Sequence, residues 1–231
     1  MLKASHRFLR HVLDSQDDIV GDIRHLSGEI ILSSAYGLDI ASKSDKYIRL
    51  AKEGVKPALP ALIPGTYWVD FMPFLKYVPE WFPGAGFRRK ANEWKRLTLA
   101  MRDTPFEVAK NEIEKGLPPP SFCLSSLQAL DERLDIDQQE QDIKDAAGTL
   151  YGGGSDTTMA SVANCILSLL NHPEALKKAH DEIDRVLKPG TLPDLEDEPS
   201  LPYITAIVKE SSRWNISVPL GSFHPTCQHF R

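Results

Sequence analysis

Seven consecutive residues, Gly152-Gly153-Gly154-Ser155-Asp156-Thr157-Thr158, set three glycines, an acid and two threonine hydroxyls inside a stretch that otherwise reads as helix. A glycine in a helix interior costs about 1 kcal/mol relative to alanine, so three cost roughly 2–3 kcal/mol and invite a kink. The four polar residues that follow compete for backbone hydrogen bonds with their own side chains. A run this poor in helix formers, placed mid-helix, breaks local consistency, and such breaks tend to mark functional sites. The glycines allow close approach of a flat or bulky ligand. The Thr157 hydroxyl can bridge to a backbone carbonyl or a water, and Asp156 supplies an acid beside it. The chemistry implied is a water-holding groove with a proton-relay pair. Other glycine motifs do not fit. A Walker loop needs Gly-Lys-Ser/Thr where Gly154-Ser155-Asp156 stands, a nucleophile elbow needs glycine at 157, and a dinucleotide fingerprint needs a preceding strand. A plain glycine turn joining two helices at 152–154 stays open on these residues alone.

A second constellation is Glu210-Ser211-Ser212-Arg213, whose acid and base stand three apart and share a helix face. Such pairs are common on surfaces and weak evidence by themselves. Cys123, Cys165 and Cys227 have no metal-like spacing and are odd in number, which points to free thiols in a reducing compartment.

These residues need helices to position them, and the chain is mainly α. Ile19, Ile23, Leu26 and Ile30 form one apolar stripe that predicts a helix over 17–35, stopped at Gly37. Further helices are expected over 45–61, from Phe87 to Lys115, over 124–133, as one continuous element over 137–170, over 173–187 and over 202–215. Pro173 and Pro202 stand at the favoured start of the last two. The long element is expected to be bent or widened within 152–157. No alternating strand beyond four or five residues appears, and there is no internal repeat. Residues 57–83 hold six of the 17 prolines, and residues 66–87 hold eight of the 19 aromatics, so one continuous helix is excluded there. Two readings stand: a buried connector packed on the core, or an aromatic hairpin that touches a bilayer surface or lids a pocket.

The 231 residues, 42% hydrophobic and 26% charged, suffice for a packed core and exclude disorder or a disulfide scaffold. The net charge of −5, with no basic stripe, argues against nucleic acid. The absence of an apolar run of about 18 residues predicts no membrane span, and the basic start MLKASHRFLRHVLDS lacks a signal-peptide core.

Taken together, the motifs resemble the cytochrome P-450 monooxygenases. Gly153-Gly154-Ser155-Asp156-Thr157-Thr158 is similar to the central-helix pattern Ala/Gly-Gly-x-Asp/Glu-Thr-Thr/Ser. Asn171-His172-Pro173-Glu174, Leu201-Pro202-Tyr203 and Lys209-Glu210-Ser211-Ser212-Arg213, with the family's Glu-x-x-Arg, follow in the family's order and spacing. The stretch from Asp70 to Gly86 resembles the lid of fungal microsomal members, of the O-methylsterigmatocystin oxidoreductase-like group. The resemblance implies an incomplete P-450 fold and a haem-thiolate monooxygenase, inserting one oxygen atom from dioxygen into an apolar substrate such as a fungal secondary metabolite or a xenobiotic. It implies haem (haem b, with its iron) as cofactor and electrons from NADPH through NADPH-cytochrome reductase. For the full-length family it implies the cytosolic face of the endoplasmic reticulum membrane, with the 66–87 aromatics as a contact to that surface. By the same resemblance, Asp156 and Thr157 handle protons, and Gly153, Gly154, Thr157 and Thr158 face the cofactor. Glu210 and Arg213 form a buried structural ion pair, and Val218, Pro219 and Leu220 line the substrate pocket.

The departures set the remaining expectations. The family's haem loop, Phe-x-x-Gly-x-Arg-x-Cys-x-Gly, is not found. Pro225-Thr226-Cys227-Gln228-His229 has none of its glycines or its arginine, so no iron ligand is expected in this chain. After Gly221, where relatives continue Val-Pro-His-Arg, the text is Ser222-Phe223-His224-Pro225. A partial P-450 domain over 1–221 with a divergent tail over 222–231 is therefore expected. So are the lack of an anchor and of the Trp-x-x-x-Arg helix, an internal fragment, and no activity of the isolated chain. The rival reading is a non-catalytic helical interaction protein or a non-functional gene-model fragment.

Overall fold

A computed structural model describes residues 2–15, 17–40, 46–61, 63, 65–116 and 119–218, apart from the side chains of Ala58 and Leu59. Pro219, Leu220, Cys227 and the 222–231 tail lie outside the described residues. Every regular element among the described residues is helical: α1 (Leu2–Asp14), α2 (Ile19–Tyr36), α3 (Lys46–Val55), α4 (Ala58–Ala61), α5 (Trp68–Phe71), α6 (Gly86–Glu114), α7 (Phe122–Gln128), α8 (Ile136–Asn171), α9 (Pro173–Val186) and α10 (Pro202–Trp214). Short 3-10 turns cover Pro73–Tyr77 and Leu195–Ser200. The expected mainly α class is what the chain adopts. Two compact units are present, Lys3–Asp156 and the residues from Thr157 onward.

In the first unit, α2 begins where the Asp18 carboxylate accepts the Gly21 N–H at 2.9 Å, and ends at Gly37. There φ is 73°, a left-handed turn that lets the Gly37 N–H reach the Ser33 carbonyl. A side chain at 37 would also press on the Pro119 carbonyl, 3.1 Å from its first carbon. Leu32, Tyr36, Ile40, Met101, Phe106, Cys123, Ala147 and Tyr151 form the core, drawn from α2, the segment after it, α6, α7 and α8. Tyr151 is fully buried, donates its hydroxyl to the Tyr47 carbonyl, and meets Tyr36 edge to face at 6.0 Å. It fixes the first half of α8 against α2 and α3. Three ion pairs run along α6 and α8 in opposite chain directions: Arg102 with Asp145 (2.6 Å), Lys144 with Glu107 (3.1 Å) and Lys110 with Glu140 (2.7 Å).

The helix α1 was not expected from the sequence. It is tied to α2 by Arg7–Glu29 at 2.6 Å and His11–Asp22 at 3.4 Å. The aromatic segment corrects the buried-connector reading: Trp68, Phe71, Phe74, Tyr77, Trp81 and Phe82 are all more than half exposed. Proline breaks the segment into turns too short to present one face inward. Trp68 and Phe82 line a groove of about 420 Å³ with Met72, Val78, Ala85 and Phe87.

In the second unit α9 packs on α10, and the end of α8 lines a groove with both. Leu201, the residue before α10, has no capping side chain. Glu182 of α9 takes that role from a distance. Its carboxylate, only 6% exposed, accepts the N–H groups of Tyr203 at 3.1 Å and Ile204 at 3.0 Å. A negative charge at a helix N-terminus satisfies orphan donors and complements the helix dipole.

Candidate functional site

The long helix α8 is unbroken from Ile136 to Asn171, 36 residues or about 54 Å at 1.5 Å per residue. The expectation of one continuous element holds, and the glycine-turn reading at 152–154 is excluded. The expected widening is absent, because residues 150–171 are α-helical throughout.

The three glycines face different neighbours. A methyl group at Gly152 would lie 3.3 Å from the end of Met101, and one at Gly154 only 2.6 Å from Ile31 Cδ1. At Gly153 it would meet nothing within 4 Å. Gly152 and Gly154 therefore admit α6 and α2 at close range, and Gly153 belongs to an open face. On α8 itself Ala146, Leu150, Gly153 and Thr157 succeed one another at spacings of four, three and four, a single stripe. The first three are exposed and Thr157 is half-buried. Gly154 stands about 100° round the helix from Gly153, and exposed Thr158 about 140°. The helix thus groups Gly153 with Thr157, while Gly154 stands about 60° and Thr158 about 100° from Thr157.

Asp156 flanks one edge of the open face and is 44% exposed. Its Oδ1 lies 3.7 Å from Nε of Arg24 on α2, a buried N–H with no hydrogen-bond partner among the described residues. Sequence reading missed this cation, since no motif links positions 24 and 156. The Thr157 carbonyl accepts the Ser161 hydroxyl at 2.9 Å and the Ser217 hydroxyl at 3.2 Å. Residues 161 and 217 were also unmarked in the sequence.

Glu210 and Arg213 do pair, through two bonds of 2.8 and 2.6 Å. The Arg213 fork holds the Glu210 carboxyl below its ordinary range. Their expected burial is corrected: the side chains are 59% and 71% exposed. Glu210 rims an open groove of about 370 Å³ with Tyr203, Ile207 and Trp214. Val218 is exposed, and Pro219 and Leu220 lie outside the described residues.

A flat macrocycle would find one fitting wall here, the small-residue face around Gly153. An axial thiolate is not found among the described residues. Cys123 is sealed in the core, its thiol pushed up to about 12 by burial. Cys165 lies about 18 Å along α8 from Gly153 and on another face. Among the described residues no group of three or more His, Cys, Asp or Glu could hold a metal ion, and no helix is long and apolar enough to cross a membrane.

Comparison with known proteins finds similar sequences along almost the whole chain. The family model described as Cytochrome P450 matches residues 11–229. The chain is 41% identical over 223 residues to Cytochrome P450 monooxygenase 98 of Postia placenta, covering 96% of this chain and 43% of that protein. It is 38% identical over 227 residues to tryptamine 4-monooxygenase of Psilocybe cyanescens, covering 96% and 44%. With Cytochrome P450 monooxygenase CLM2 of Gibberella zeae the figures are 36% over 226 residues, 95% and 42%. The chain therefore spans less than half the length of these relatives.

Proposed function

The chain belongs to the cytochrome P450 family, and from that premise we propose that it is the central part of a haem-thiolate monooxygenase. The enzyme inserts one atom of dioxygen into a small apolar substrate, a fungal secondary metabolite or a xenobiotic. The observation that carries the reading is the open face at Gly153, where a side-chain carbon would meet nothing and where Asp156 and Thr157 stand within one turn. Haem, when bound, supplies the oxygen-activating chemistry. Gly153 leaves room for its plane, and Thr157 holds water at that face. Asp156, kept beside the face by Arg24, exchanges protons with that water. Gly154 contributes indirectly, by letting α2 approach, and Thr158 supports the turn. Glu210 and Arg213 order α10, and Val218, Pro219 and Leu220 border the substrate. We place the thiolate ligand outside residues 1–221 and read 222–231 as a tail without it.

Electrons come from NADPH through NADPH-cytochrome reductase. The exposed aromatics between Trp68 and Phe82 suit the cytosolic surface of the endoplasmic reticulum membrane, because amphipathic rings settle at the headgroup level. The test has two arms. Haem titration of the 231-residue chain is expected to give no stoichiometric complex, since one wall encloses far less than the roughly 70% a good site covers. In the haem-loaded enzyme that contains this segment, Thr157→Ala and Asp156→Asn are expected to divert NADPH electrons from product to hydrogen peroxide. Unchanged partition in both variants would remove the proton-handling role.

A further inference from the structure

The segment leaving α10 alternates Asn215, Ile216, Ser217 and Val218. Ile216 and Val218 are exposed, whereas Asn215 and Ser217 both bond to α8. On α8, residues 157, 161 and 164 share one helix face. Between these two rows lies a polar seam. Asn164 donates to the Asn215 carbonyl at 3.0 Å, and the Asn215 amide donates back to Asn164 Oδ1 at 3.0 Å. The Ser161 and Ser217 hydroxyls stand 3.0 Å apart, and both converge on the Thr157 carbonyl. A carbonyl oxygen has two acceptor sites. In mid-helix one is committed to the amide four residues on, and the hydroxyls of Ser161, from within the helix, and Ser217, from 60 positions away, share the other.

We infer that Ser217 is a positioning residue. Its hydroxyl locks the segment running into Val218 onto the turn of α8 that carries Thr157, so the substrate border and the proton-handling turn hold one register. The Asn215–Asn164 pair sets that register about two turns further along α8, and Ser161, one turn on, orients the Ser217 hydroxyl. The inference rests on the proposed roles of Thr157 and Val218, but the lock itself can be tested without them.

The test compares Ser217→Ala, which removes the donor, with Ser217→Thr, which keeps it, in the 231-residue chain. The first readout is the carbon-13 resonance of the Thr157 carbonyl, with amide hydrogen exchange across residues 157–164. Ser217→Ala is expected to move that resonance beyond its linewidth and to speed local exchange roughly five-fold, the factor for one typical hydrogen bond. Ser217→Thr should restore both. The second readout is taken in the haem-loaded enzyme containing this segment. There Ser217→Ala should lower kcat, leave KM near its original value and broaden the product distribution, again with rescue by threonine. An unmoved Thr157 resonance and unchanged exchange in Ser217→Ala would overturn the inference. If the resonance and exchange respond while Thr157→Ala leaves electron partition unaltered, the lock stands and the proton-handling reading fails.

Discussion

Substituting Gly153 and Gly154 separately by alanine should have opposite consequences, although the two positions are adjacent and share a motif. An alanine in a helix interior is more favourable than glycine by about 1 kcal/mol, partly because the unfolded chain has fewer states to lose. At Gly153 nothing opposes that gain, since the new carbon meets no atom within 4 Å. The expected result is a stabilisation of about 1 kcal/mol, or roughly 2–4 °C in midpoint for a chain of this size. At Gly154 the carbon would fall 2.6 Å from Ile31 Cδ1 and 3.0 Å from its Cγ1. Ile31 must turn to another rotamer or α2 must shift, and overpacking costs typically 1–3 kcal/mol. The clash falls on the flexible end of a half-buried side chain, so the low end of that range applies. The net is about zero to 1 kcal/mol of destabilisation, and the two variants should differ by about 1–2 kcal/mol. Calorimetry or urea titration of both variants reads this difference directly. Equal stabilisation by both would mean that α2 does not press on α8 at Gly154, and a destabilised Gly153→Ala would mean that the face is covered. Either result refutes the assignment of one glycine to packing and the other to a ligand.

Three further outcomes follow from the same geometry. Glu182→Ala leaves two N–H groups of α10 without their charged acceptor, and should cost about 2–3 kcal/mol and lower the midpoint by about 5–10 °C; an unchanged midpoint would show that water replaces the cap. Burial raises both the Tyr36 phenol and the Cys123 thiol, the latter to about 12, so each stays neutral in the fold while the unfolded chain ionises. That stability is complete below pH 9.0 and declines as pH rises toward 12, and Tyr36→Phe with Cys123→Ala should flatten the decline in an unfolding series across that range. For Glu210 and Arg213, a double-mutant cycle should give a coupling that salt screens away, as expected of an exposed pair; a salt-insensitive coupling would place the pair out of solvent.

Much of the helical frame is legible residue by residue. Gly37 stops α2, and Pro173 and Pro202 open α9 and α10, because cap chemistry acts over three or four residues and leaves a local signature. The continuity of α8 is legible from its lack of proline, which outweighs three glycines. Side-chain partners distant in the chain are not. Glu182 caps α10 from 21 residues away, Ser217 reaches Thr157 across 60, and Arg24 meets Asp156 only because α2 crosses there. The spacing of Glu210 and Arg213 specifies that they pair, while their exposure depends on what else packs over α10. Helix α1 shows the converse: its basic residues drew attention to targeting signals, although Arg7 and His11 serve buried acids on α2.

The run from Gly152 to Thr158 also shows how an anomaly in sequence divides once its neighbours are known. Small residues in a helix have two uses, admitting another helix and leaving room for a ligand, and composition alone does not separate them. Gly152 faces Met101, Gly154 faces Ile31, and one turn earlier Gly148 would place a methyl 2.7 Å from Arg102. Ser155 is buried as well. These four positions give α8 a smooth flank against α2 and α6, so their helix-propensity cost is offset by close packing. That account does not extend to Gly153, where a side-chain carbon would meet nothing within 4 Å. The unexplained part of the anomaly is therefore one glycine, with Asp156 at its edge and Thr157 one turn on. A glycine that no neighbouring side chain requires is best assigned to something the helix must leave space for, and the open face at Gly153 is where that space lies.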